Sequence, residues 1–402
     1  MRSIVVAAGA LLALVLSGVP AAAAAASAAV PAAQSAKASP EHPLSAVSCV
    51  SSRYCVAVGY NETADGGNGG PLAETWNGRA WTAETVKLPA ATFGGALFGV
   101  SCRSRQSCLA VGEYFRQNDD TGALAEAWNG STWTAAKPPV PAGATSVALS
   151  GISCVTSVDC VAVGSYVRDD TAVGLAETWN GHHWSDVPVK LAAGRVGGDL
   201  DGVSCTSPKS CVAVGSYGLP SADEIALAES WNGKSWTAVR PPAPTGNTSA
   251  ALDGVSCTSP TNCIAVGWYT KANGSLGFAE SWNGRKWTRF PMPKSGGYGG
   301  LYSVSCASPQ YCLAVGDGGP AGASQGTPAS DLWNGRSWSN QRVPVPPRGG
   351  GSSASSTLQG VKCLSTTDCV AVGELTLGNN EQNQYGFSGL WNGRTWKLTA
   401  TV

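Results

Sequence analysis

Fourteen cysteines and three histidines frame the chemistry open to this 402-residue chain. All the cysteines fall in C-x5-C pairs: Cys49 with Cys55, Cys102 with Cys108, Cys154 with Cys160, Cys205 with Cys211, Cys257 with Cys263, Cys306 with Cys312 and Cys363 with Cys369. Paired thiols can hold zinc, shuttle electrons or close disulfides. Zinc ligands favour C-x2–4-C with a second pair nearby, and redox sites favour C-x-x-C. Cysteines six apart across a turn can instead face each other on antiparallel strands, where Cα atoms lie about 4.5–5.5 Å apart, within disulfide reach. One structural disulfide per pair is expected, each worth roughly 2 kcal/mol on the chain-entropy model. No metal and no cofactor is expected.

Other catalytic signals are sparse. His42 lies near the N-terminus, and His182-His183 fill the variable places of a turn, so a nucleophilic triad lacks its base. No H-E-x-x-H, P-loop or G-x-S-x-G context occurs. The acidic loops Asn118–Asp120 and Asp65–Gly70 lack a full calcium-loop ligand sequence. Lys+Arg and Asp+Glu are 26 each, which argues against a nucleic-acid binder working by phosphate neutralisation. Only 13% of residues are charged while Trp is 15, which excludes a disordered chain.

The N-terminus carries a compartment signal. Arg2 precedes the apolar run Ile4–Leu16, and Ala21–Ala29 offers A-x-A cleavage sites. That is a secretory signal pattern over 1–29, too short in its apolar core to span a bilayer. An Ala/Pro/Ser leader follows over 30–43. No membrane span is expected in the mature chain. A secreted, extracellular and oxidising setting is, where disulfides persist.

Repeats organise residues 44–402. The first cysteines of successive pairs are 53, 52, 51, 52, 49 and 57 residues apart. A second landmark, W-N-G-x-x-W, begins at Trp76, Trp128, Trp179, Trp231, Trp282, Trp333 and Trp391. In the fourth repeat, Leu200–Cys205 reads as a strand, Thr206–Ser210 as a turn and Cys211–Tyr217 as a second strand. Ala226–Trp231 and Ser235–Val239 read as two more around Asn232-Gly233. A two-residue turn would make the two Trp diagonal neighbours, and a four-residue loop would oppose them directly; both put them on one face.

Seven such units are the pattern of an all-β, seven-bladed β-propeller with four antiparallel strands and one disulfide per blade. The C-[VLI]-A-V-G strand, with its central Ala, suits an inner position, although either of the first two strands could be innermost. The carboxylates Glu74, Glu126, Glu177, Glu229 and Glu280, two before the first Trp, are expected to meet an internal hydrogen-bond partner.

From Leu44 onward the chain resembles secreted bacterial seven-bladed β-propeller repeat proteins. The W-N-G-x-x-W turn is similar to the turn of Asp-box repeats, and the glycine-plus-tryptophan arrangement loosely resembles kelch repeats. The Ser/Thr of the Asp-box is missing at Ala127, Leu332 and Leu390. The resemblance implies the architecture and carries over no catalytic residue.

The working face follows from strand direction. The C-x5-C and Asn-Gly turns fall together on one side and repeat regularly. The other side varies: Tyr60, Glu113, Ser165, Ser216, Trp268, Asp317 and Glu374 follow the second-strand Gly. Before the first strand, comparable positions carry Phe98, Ser150, Asp201, Asp253 and Gln359, with Tyr302 close by. The expected ligand site there uses Trp268 and Tyr269 as a stacking platform and Asp201, Asp253, Asp317, Glu113 and Tyr60 around it. The expected role is non-catalytic recognition or scaffolding by a monomer, with a glycan or protein as ligand. The alternative is a secreted glycoside hydrolase or lyase using carboxylates on the axial face.

Overall fold

The computed structural model describes residues 42–62, 68–90, 92–116, 120–189, 196–219, 223–272, 274–293, 299–319, 326–346, 354–377 and 384–401. The expected signal segment and nearly all of the leader lie outside these residues, as does part of each acidic loop. Among the described residues, 28 strands form seven four-stranded antiparallel sheets, each in sequential order within one repeat. The first strands of successive sheets touch in a ring that closes from blade 7 onto blade 1. The chain is a seven-bladed β-propeller. Closure needs no exchanged strand. Trp81 Nε1 donates to Ser388 Oγ at 3.0 Å, and Tyr60 OH donates to Gln384 Oε1 at 2.9 Å.

Blade 4 runs longer than its sequence pattern in the inner strands: Val196–Ser207, Ser210–Gly218, Glu224–Trp231 and Trp236–Ala238. The innermost strand is the first one, so the Ala-centred strand takes second place. What narrows the axis is a small residue on the first strand: Ala46, Gly99, Gly151, Gly202, Gly254, Ser303 and Gly360. A methyl group built on Gly151 would lie 2.8 Å from Asp201 O of the next blade, and one on Gly254 would lie 2.9 Å from Tyr302 O.

An inner strand leaves one edge unpaired, and its amides need acceptors. The serine of each V-S-C or I-S-C segment supplies them. Ser48 Oγ accepts from Cys102 N–H, Ser101 from Cys154, Ser153 from Cys205, Ser204 from Cys257, Ser256 from Cys306 and Ser305 from Cys363, at 2.9–3.0 Å. Every blade is thereby fastened to the next except at the seam.

Farther out, the two cysteines of each repeat are directly opposed on the first two strands. They close as expected, within their own repeat. Cys49 bonds to Cys55, Cys102 to Cys108, Cys154 to Cys160 and Cys205 to Cys211. Cys257 bonds to Cys263, Cys306 to Cys312 and Cys363 to Cys369. Their Cα atoms are 3.9–4.0 Å apart, closer than the spacing expected for an opposed pair, and no cysteine is free.

The Trp pairs are also directly opposed, across four-residue loops. In these loops Asn Oδ1 accepts two backbone N–H groups, as Asn232 does from Lys234 and Ser235, and the Gly has positive φ, as Gly233 does at 90°. Paired indole centroids sit 5.3–5.7 Å apart. Trp231 Nε1 donates to Pro208 O of the C-x5-C turn, which ties the two turn families together on one side.

The second-strand Gly is required by close approach. At Gly215 an added Cβ would fall 2.0 Å from Asp199 O. Gly215→Ala should therefore destabilise the protein by on the order of 3 kcal/mol in chemical denaturation. Gly70→Ala, with open space around it, should be near neutral. Equal effects of the two would contradict this packing.

Candidate functional site

The same close approach builds a ring at the axis. In every blade the first strand shifts register just after a buried Leu. Leu200 pairs with Gly215 and Gly202 with Val214, so Asp201 is the extra residue of a β-bulge. The equivalent bulge residues are Ser45, Phe98, Ser150, Asp253, Tyr302 and Gln359. Bulges re-aim side chains and recur beside binding sites. The Leu before each bulge is buried, Leu200 and Leu252 fully, whereas all seven bulge residues are half-buried. Backbone contacts make them ring neighbours: Ser150 O, Asp201 O, Asp253 O and Tyr302 O each lie against the small residue of the preceding blade. A sevenfold scaffold thus presents seven equivalent positions occupied by five residue types: Ser, Phe, Asp, Tyr and Gln.

Blades 6 and 7 use these positions alike. Tyr302 OH donates to Asp317 Oδ1 at 2.8 Å, and Gln359 Nε2 donates to Glu374 Oε1 at 3.2 Å. Gly300 N–H also donates to Asp317 Oδ1. Blades 4 and 5 place bare carboxylates side by side. Burial, then the charges of Asp199 and Glu224, push Asp201 up to about 7. Burial, then Asp201 and Glu224, push Asp253 well above the carboxylate range. Asp253 Oδ2 is buried and has no hydrogen-bond partner among the described residues. Tyr302 is raised as well, by burial first and then by Asp317. The result is an acidic crescent with hydroxyl and amide groups at one end and Phe98 across the ring.

The structure brings Asp201, Asp253 and Asp317 to one region, the last already bonded to Tyr302. Glu113 is raised by burial and bonded to Thr121. Tyr60 reaches Gln384. Trp268 is half-buried, one blade from Tyr302. Tyr269 does not join it, because consecutive strand residues leave opposite faces. Tyr269 packs edge-on against Phe278, with Lys271 Nζ 5.5 Å from its ring centre. Sequence reasoning passed over Asp199 and Glu224 and left Tyr302, Gln359 and Glu374 out of the expected site. The recurring L-x-[GAS]-[VI]-x-C segment marks the ring positions, but only the register shows that x is extruded. Among the described residues no group of three or more His, Cys, Asp or Glu could hold a metal ion, and no helix is long and apolar enough to cross a membrane.

The glutamates near the Trp pairs depart from expectation. Glu126, Glu177, Glu229 and Glu280 are 0–1% exposed, yet both carboxyl oxygens of each lack a hydrogen-bond partner among the described residues. They lie on the face that carries the indoles and packs on the preceding blade, where the backbone of the sheet is already paired. Burial raises Glu126 and Glu229 to about 7 and Glu177 and Glu280 to about 8. Below these values the four acids are protonated in the fold.

No protein-family model and no curated protein matches the chain by sequence. Solved structures match in fold. One is YCF48 bound to a D1 peptide, at TM-score 0.51 and 13% identity over 89% of this chain and 95% of that one. Another is the GH74 xyloglucanase from Xanthomonas campestris, at TM-score 0.56 and 14% identity over 91% of this chain but 55% of that one. A third is a PL25 ulvan lyase bound to a sugar, at TM-score 0.56 and 8% identity over 90% of this chain and 96% of that one. At such identities the likeness concerns the fold alone.

The buried acids give a pH dependence. Below about pH 4.5 the folded and unfolded chains both carry these protons. Between there and 7–8 only the folded chain retains them, so stability is full at low pH and falls as pH rises through that window, by about 1.4 kcal/mol per pH unit per group. Thermal melts should give a higher Tm at pH 5 than at pH 8.5. Glu177→Gln should raise Tm at pH 8.5 and leave pH 5 nearly unchanged. A wild-type Tm that rises with pH would contradict the neutral state.

Proposed function

We propose that the protein is a secreted, extracellular recognition propeller that binds an uncharged glycan on the axial face opposite the disulfide turns. The observation that carries this reading is the bulge ring: the scaffold repeats everywhere, and side-chain identity varies where seven half-buried residues meet around the axis. Carboxylates, an amide and a tyrosine hydroxyl suit sugar hydroxyls, while Phe98, Tyr302 and Trp268 offer faces for sugar rings. The acidic crescent disfavours a polyanionic chain once pH exceeds about 7, where Asp201 ionises. Seven disulfides and the N-terminal signal pattern support secretion. Fold neighbours named for a bound peptide, for a xyloglucanase and for an ulvan lyase with a bound sugar do not choose among these ligand classes. The protein acts as a monomer.

Asp201 favours a second reading. A carboxyl raised to about 7 beside a second carboxyl is the arrangement an acid–base pair needs. In that case the protein would be a glycoside hydrolase or lyase.

A glycan array followed by calorimetry separates the readings. Asp253→Asn should weaken binding of the selected oligosaccharide about tenfold. Lys234→Ala, in the turns of the opposite side, should leave affinity unchanged. Release of shortened or unsaturated product, abolished by Asp201→Asn with binding retained, would establish the enzyme. Absence of any glycan binding would overturn both.

A further inference from the structure

The axis has a second end, and one residue there breaks the repeat. Six blades carry V-S-C or I-S-C on the inner strand, and blade 7 carries Val361-Lys362-Cys363. Each serine accepts the N–H of the next blade's first cysteine, so the residue facing Cys49 N–H at the blade 7–blade 1 seam is a lysine. An ammonium has no acceptor lone pair, so it cannot replace the serine. The substitution leaves the Cys49 amide without the partner its six counterparts have. It also places a long cation on the narrow inner strand.

Lys362 is half-buried there. Burial lowers its pKa, and the next cause is another cation, Arg103, on the first strand of blade 2. Arg103 follows Cys102 and is exposed. The first strands of blades 7 and 2 flank that of blade 1, and Arg103 is near enough for its charge to act on Lys362. No carboxylate enters among the influences on Lys362. An ammonium at the position facing a backbone N–H, with a guanidinium close enough to act on it, is a donor set suited to an oxyanion. Lys362 lies three residues along the strand from Gln359, about 10 Å from the bulge ring at strand rise. This locus is therefore separate from the acidic crescent.

We propose that the blade 7–blade 1 seam, at the disulfide end of the axis, binds a sulfate-type oxyanion through Lys362, Arg103 and the Cys49 amide. The anion takes the place of the missing serine oxygen: it accepts the Cys49 N–H and compensates both cations, joining the last blade to the first. The inference is independent of what the axial face binds.

The test compares sodium sulfate with sodium chloride at matched ionic strength on the full mature chain. Wild type should show a saturable sulfate-specific rise in Tm and a sulfate-dependent shift of the Cys49 amide in TROSY spectra, with Cys102 unmoved. Lys362→Ser installs the residue found in the other six blades. It should fold, be at least as stable in chloride, and lose the saturable response. Lys362→Met, which keeps the apolar stem, should bind sulfate about tenfold more weakly or worse. A sulfated disaccharide and its unsulfated counterpart distinguish a sugar-borne sulfate from the free ion. A saturable response that survives in Lys362→Ser, or no saturable response in wild type, would overturn the proposal.

Discussion

An edge of β-sheet left open toward the axis is the constraint on which this molecule depends. Seven inner strands each present amides that no neighbouring strand can pair. The chain meets that demand with a side chain of the preceding blade. Ser48, Ser101, Ser153, Ser204, Ser256 and Ser305 each reach one cysteine amide, so the bonds that satisfy the edge also hold adjacent blades in register. A serine is short enough for the crowded axis and carries the acceptor the edge requires. At the seam, blade 7 meets blade 1 through packing and the Trp81–Ser388 and Tyr60–Gln384 bonds.

Crowding at the axis also creates the asymmetric surface. Small residues let inner strands approach each other, and the Gly opposite each bulge leaves room for a carbonyl, 2.0 Å from where a Cβ would stand at Gly215. With backbone packed so closely, only the extruded residue is free to vary. That is how Ser45, Phe98, Ser150, Asp201, Asp253, Tyr302 and Gln359 occupy equivalent places with such different chemistry. Two packing roles meet at the bulge: the Leu before it anchors the blade, and the small residue after it spaces the axis.

Away from the axis, the regularity of the blades serves closure of turns and burial of large rings. Disulfides pin one hairpin, and the opposed indoles with their Asn-Gly loops pin the other. The glutamates beside those indoles are the exception to polar satisfaction. Their burial is set by the face on which strand alternation places them, and neutrality at moderate pH is how the interface tolerates them.

Period, cysteine spacing and the Trp motif by themselves determined the blade count, the strands per blade and the disulfide pairing, because each is a local property of one repeat. Cys55, Cys108, Cys160, Cys211, Cys263, Cys312 and Cys369 each find the partner six residues earlier, across a turn too short to offer another. Which strand is innermost was decided only in the assembled ring, since small residues occur on both of the first two strands and only packing around seven blades selects one. The same holds for Tyr269, which alternation turns into the blade, and for Glu126, Glu177, Glu229 and Glu280, whose expected partners the interface does not supply among the described residues. The meaning of Lys362 was likewise hidden: its departure from serine is visible in the chain, but the amide it fails to cap belongs to Cys49, at the other end of the sequence, brought beside it only by closure of the propeller.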